Sequence, residues 1–180
     1  MMRSGTFAWP MLLLGFWSIA ATAEDTRRIY LVPANGDRID VGALHLEQGG
    51  AYRVVWDDAR FGDFFLSMRP FKCLEGPEKL WCRVDYPYEN NRRIGGDDLT
   101  DLEYDLLFVW KNAKDYGIDM WNGVYYKLAP AGAGWNGAMF EMDMNVLAAP
   151  PEDGNLRPIE PGMLDEGDPD SHWLPRIVIE

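Results

Sequence analysis

Positive charge is scarce in this 180-residue chain. Its 17 Lys and Arg stand against 29 Asp and Glu, a formal charge of −12. No stretch gathers enough of them to neutralise a row of phosphates, so nucleic acid is not an expected partner. Docking on anionic lipid needs basic clusters and is disfavoured for the same reason. Histidine is rarer still. His45 and His172 are the only imidazoles, each alone in its segment, which excludes a zinc site built on several histidines and leaves a catalytic histidine unsupported. Beyond residue 23 the only serines are Ser67 and Ser171. Ser67 sits in Leu66-Ser67-Met68-Arg69, outside a G-x-S-x-G context, so a triad with His45 has little support. There is no P-loop, dinucleotide fingerprint or EF-hand loop, and neither a cofactor nor a metal is expected. After residue 23 no apolar run is long enough to span hydrocarbon.

One apolar run does open the chain. Arg3 precedes an apolar stretch of about 14 residues from Phe7 to Ala20, and Ala21-Thr22-Ala23 supplies small residues at −3 and −1. Residues 1–23 therefore read as a cleavable signal peptide, with cleavage before Glu24. The stretch falls short of the roughly 20 residues of a membrane anchor. The expected compartment is the periplasm or the exterior, and no membrane insertion is expected after cleavage. In that compartment the only two cysteines, Cys73 and Cys82, read as a disulfide. Their spacing is too wide for a redox C-x-x-C.

Residues 24–148 read as a β-rich globular domain. Apolar residues alternate in short segments separated by turn signals: Arg28 to Val32, an Asn35-Gly36 turn, Ile39 to Leu46, Gly49-Gly50, then Tyr52 to Trp56. Phe64 to Phe71 and Leu80 to Val84 continue the series. A later hairpin is expected from Val124–Leu128 and Met139–Val146, with a glycine-rich turn from Pro130 to Gly137. Residues 97–114 read two ways. As a helix, Leu99, Leu102, Leu106, Val109 and Trp110 share a face, Asp97 or Asp98 caps it, and Thr100-x-x-Glu103 resembles a capping box. As a strand, Leu102 to Trp110 alternate, but Asp101, Glu103 and Asp105 then form a like-charged row, which tips the expectation to a helix over 98–112. The fold class expected is mostly β (α+β), an antiparallel sandwich or partly open barrel with one short helix. Residues 149–180 read as a proline- and acid-rich C-terminal extension packed on the domain, its end docking as a last edge strand.

The densest unusual stretch is 61–93, where Phe61, Phe64, Phe65, Phe71, Trp81, Tyr86 and Tyr88 interleave with Arg60, Arg69, Arg83, Arg92 and Arg93. Arg69, Arg83, Trp81, Tyr86 and Tyr88 are the expected ligand-binding residues of a positive, aromatic-walled pocket for a small anionic ligand such as a carboxylate or sugar acid. The plainer reading is that the aromatics fill the core and each arginine pairs with an acid or lies on a ring. Trp121-Asn122-Gly123 and Trp135-Asn136-Gly137 place a ring before an Asn-Gly turn. Two acidic groups, Asp57/Asp58/Asp63 and Asp97/Asp98/Asp101, read as turn and capping chemistry. With no nucleophile, base or metal set identifiable, the expectation is an exported non-enzymatic protein that binds a small anionic ligand or a partner envelope protein. The alternatives are a small carboxylate-dependent hydrolase of glycans using those aspartates, or a structural envelope protein.

Overall fold

The computed structural model describes residues 24–152 and 154–180. The signal-peptide reading concerns residues 1–23, which lie outside the described residues. The elements are β1 (Asp25–Val32), β2 (Ile39–Leu46), β3 (Tyr52–Trp56), β4 (Gly62–Phe65), β5 (Pro70–Glu75), β6 (Lys79–Arg83), α1 (Thr100–Tyr104), β7 (Phe108–Asn112), β8 (Gly123–Ala131), β9 (Gly134–Met142), β10 (Asp165–Glu166) and β11 (Arg176–Ile179). The fold is mostly β, 44% strand. Ten strands form one antiparallel path in the order β3-β2-β1-β11-β9-β8-β7-β6-β5-β4, and β10 adds a short pairing to β9.

The curl of this sheet follows from chain length. A flat ten-strand sheet would hold its edge strands about 43 Å apart. The edges are β3 and β4, and only residues 57–61 join them, a link that reaches about 20 Å at most. The sheet therefore bends round to a half-barrel. Across its interior Trp56 of β3 meets Phe108 of β7 edge-on, ring centroids 5.7 Å apart.

The main core fills that interior with Ile29, Leu31, Trp81, Phe108, Tyr126 and Ile177 among others. Two smaller clusters cover the outer faces, one around Tyr104, Tyr125 and Met142 and one around Leu80, Val109 and the cysteines. Cys73 and Cys82 lie directly opposite each other on β5 and β6 and are bonded. Such a bond belongs to a compartment outside the reducing cytosol. Among the described residues no helix is long and apolar enough to cross a membrane. Reduction, or the Cys73→Ala/Cys82→Ala double substitution, is expected to lower unfolding free energy by about 2.5–3 kcal/mol, the chain-entropy value for so short a loop. Urea unfolding with and without reductant measures it, and identical midpoints would refute the staple role.

Three expectations are corrected. The helix runs only from Thr100 to Tyr104, and Phe108–Asn112 is a strand that pairs Val109 with Cys82 and Trp110 with Trp81. The like-charge objection to a strand applied to residues 101–105, and the strand starts only after them. Thr100-x-x-Glu103 is no capping box, since Leu99 occupies the cap position without a side-chain bond and Glu103 turns into the protein. Second, the last strand is not at an edge. β11 lies between β1 and β9, with Ile177 and Ile179 fully buried. Third, the glycine-rich segment 130–137 is mostly strand: β8 and β9 turn tightly about Gly132, whose φ is 60°, and Asn136-Gly137 is inside β9 rather than at a turn. A side chain at Gly134 would strike the Ile179 carbonyl and one at Gly137 the Ile177 side chain. These glycines are there to let β11 approach. Along β9, Met139 faces the main core while Phe140 and Met142 face the outer cluster.

Candidate functional site

At the upper ends of β5 and β6 the surface sinks into a cavity of about 570 Å³ walled by Arg69, Lys72, Arg83, Asp85 and Tyr86, with Phe71 and Ile118 beneath. Each cation is set there by its local chain. Arg69 closes the β4–β5 turn just before Pro70. Lys72 faces Asp63 across the strand pair, with Nζ 2.9 Å from the carboxylate. Arg83 ends β6, its guanidinium carbon 5.0 Å from the Trp56 ring centroid and 5.2 Å from that of Phe61. Its Nη1 donates to Asp58 at 2.9 Å, while Nε is buried with no hydrogen-bond partner. Rings on two sides fix this charge in place. Arg69 differs: among the described residues it makes no ion pair, and it is exposed.

Tyr86 forms another wall. Its hydroxyl donates to the Leu156 carbonyl at 3.0 Å, its ring packs edge-on against Tyr104 at 4.7 Å, and burial raises its phenol pKa. Arg69, Arg83 and Tyr86 thus meet at one cavity. Trp81 and Tyr88 do not line it. Trp81 is 0% exposed in the barrel core, where no ligand can reach it. Tyr88 packs in the outer cluster and donates to the Leu147 carbonyl at 2.7 Å. Aromatic residues are used for burial before they are available for stacking.

Beyond Asp85 and Tyr86 a second cavity, about 270 Å³, is lined by Arg53, Trp56, Arg92 and Asp105. Arg53 comes from β3, just before the 61–93 stretch in sequence, and no local pattern marked it. Arg92 is the one non-glycine residue described with positive φ, 51°, a conformation that costs energy and is held by its surroundings. Asn90 accepts from its N–H at 2.9 Å, its carbonyl accepts from Tyr52 N at 3.1 Å, and its Nε donates to Asp105 at 3.2 Å. Asp105 also accepts from the Tyr52 hydroxyl at 3.0 Å. Burial nevertheless raises its pKa against the opposing pull of Arg92.

The acidic groups are largely engaged. Asp57 caps residues 58–60 and lies 3.5 Å from Arg60, Asp58 and Asp63 hold Arg83 and Lys72, and Asp98 and Asp101 hold Arg157. Among the described residues no cluster of three or more His, Cys, Asp or Glu side chains is arranged for a metal ion. One constellation escaped sequence reading altogether, because its parts come from β6, β9 and the 171–173 segment. His172 is buried with Nδ1 3.3 Å from Lys79 Nζ and Nε2 3.2 Å from Glu141. An ammonium only donates, so Nδ1 accepts and the ring proton sits on Nε2. Burial, then the Lys79 charge, lowers the imidazole pKa and keeps the ring neutral in this relay. Lys79 also donates to the Ser171 carbonyl at 2.8 Å and lies 4.1 Å over the Trp110 ring, so its donors are used in bracing the fold.

Compared with protein-family models, with curated proteins and with solved structures, the chain matches none.

Proposed function

We propose that this is an exported, non-enzymatic binding protein of the periplasm or the exterior, and that its cleft takes a small anionic ligand, a carboxylate in particular. The observation that carries the reading is Arg69. In a chain of net charge −12 it has no acidic partner among the described residues, and it stands on a cavity wall that also holds the ring-clamped Arg83. A planar guanidinium matches a carboxylate with two parallel hydrogen bonds, and the aromatic wall of Tyr86 suits a ligand with a flat or ring-shaped body. The export half rests on residues 1–23 and on the compartment that a disulfide implies.

Thermal unfolding of the mature protein with galacturonate, citrate and glutamate tests the reading. At least one is expected to raise Tm, and Arg69→Ala is expected to abolish that rise while changing unliganded stability by less than about 0.5 kcal/mol, as for an exposed side chain. Arg83→Ala should lower unliganded Tm as well, because it removes the charge between two rings. No Tm rise with any of the three, or a rise undiminished in Arg69→Ala, would overturn the assignment. Turnover of a glycan or ester lost in Asp58→Asn would overturn its non-enzymatic half.

A further inference from the structure

The geometry points to a single two-lobed groove for an acidic oligosaccharide, a chain of sugar acids whose successive carboxylates meet Arg69 and Arg83 in one lobe and Arg53 and Arg92 in the other. This rests on the anion-binding reading above and names its ligand class.

The two cavities adjoin, with Asp85 and Tyr86 lining both. Trp56 ties them a second time: it lines the smaller lobe and its ring carries the Arg83 guanidinium of the larger one. Pockets for drug-sized ligands run roughly 300–1,000 Å³. At about 270 Å³ the smaller lobe falls short alone, and joined to the 570 Å³ lobe it falls within that range. Cations lie in both lobes and acceptors between them. Arg53 is half-exposed and, among the described residues, pairs with Glu24 alone, 2.8 Å away, an acid it shares with His45. Arg92 is exposed and held in place by its backbone contacts and Asp105.

The sequence of groups along the groove is cation, ring and carboxylate, cation. Carboxylates of a ligand take the arginines. Its hydroxyls donate to the carboxylate oxygens of Asp85 and Asp105. Its ring faces lie on Tyr86 and Trp56. A sugar-acid chain offers all three on each unit. An acidic peptide offers the carboxylates without ring faces, and a single sugar acid fills one lobe.

Calorimetric titration of the mature protein with galacturonate, its trimer and triglutamate is the test. The trimer is expected to bind at least tenfold more tightly than the monomer, and triglutamate more weakly than the trimer. Arg53→Ala should reduce trimer affinity at least fivefold and leave monomer affinity unchanged; Arg69→Ala should weaken both. Arg53 is exposed, so its variant folds, and an unchanged Tm without ligand checks that. Equal monomer and trimer affinities, no effect of Arg53→Ala, or triglutamate binding as tightly as the trimer overturns the groove while leaving anion binding by Arg69 standing. Binding of citrate or glutamate that depends on Arg69, with none of either uronate, does the same. Uronate binding indifferent to Arg69→Ala overturns the anion-binding reading itself.

Discussion

Glu103→Ala is expected to destabilise the protein by about 3–5 kcal/mol, the cost of stripping a buried acceptor from several donors. Glu103 is 1% exposed. Its carboxylate accepts from the Tyr125 hydroxyl at 2.5 Å, from the Leu128 N–H at 2.7 Å and from Lys127 Nζ at 3.2 Å. Burial and the neighbouring Glu103 charge push the Tyr125 phenol upward, so it remains a donor at any pH the protein meets. Deleting the carboxylate leaves two buried donors facing a cavity, whereas the exposed Lys127 loses little. Glu103→Gln keeps an acceptor oxygen and should cost roughly half as much. Urea unfolding gives the answer through the shift in midpoint at constant m. A loss below 1 kcal/mol for the alanine variant would mean that water replaces the carboxylate at no cost, and that α1 is not anchored to β8 through it.

Arg157→Ala is the second large effect, about 2–3 kcal/mol, together with release of the strap that crosses α1. Asp101 is 4% exposed and accepts from Arg157 Nε at 2.8 Å and Nη2 at 2.7 Å. Removing the guanidinium strands that charge, the costly way to break a buried pair. The value lies below the usual range because Arg157 itself is part-exposed. The third nitrogen, Nη1, bonds Asp98 at 2.8 Å, and Arg157 chiefly, with the Thr100 contacts, holds the Asp98 carboxyl at about 2. A carboxyl depressed in the folded state stabilises above its unfolded pKa near 4 and loses that contribution as pH falls toward 2. The variant should therefore show a shallower fall in stability between pH 4 and 2 than the parent. Hydrogen exchange should quicken around Leu156–Ile159, where the Ile159 N–H donates to the Tyr104 hydroxyl at 2.7 Å. Unchanged exchange there would show that the strap is held by its apolar contacts alone.

Alternation was legible in the sequence where one face of a strand is buried. The strands of 25–56, the Asn35-Gly36 turn and the Cys73–Cys82 clamp all follow from local pattern, as does the antiparallel β-rich class. Local pattern gives way where partners are distant. Four apolar-rich residues at 176–179 suit an edge or a centre equally, and only Gly134 and Gly137, read as turn residues, registered the approach of β11. The helix over 98–112 fails because pairing with β6 outweighs the apolar face that Val109 and Trp110 would have completed. In the site, Arg69, Arg83 and Tyr86 were found by density of type along the chain. That signal cannot separate Trp81, whose side chain points into the barrel, from a wall residue. Arg92 belongs to that same arginine-rich stretch and is held at the wall by an unusual backbone conformation, whereas Arg53 enters through the folding back of β3, which has no mark in composition.

The position of β11 also sets an order of events. Its pairs join Ile29 to Ile179 and Trp135 to the same residue, so the sheet is interrupted at its middle until residues 176–179 have been synthesised. Before then the chain holds two separate ribbons, β3-β2-β1 and β9 through β4, linked by five residues and each presenting an unsatisfied edge. Closing contacts about 150 residues apart are slow and add their stability late. The final strand is thus a latch: until it is thrown the two ribbons stay apart, and only with it does the core between them close.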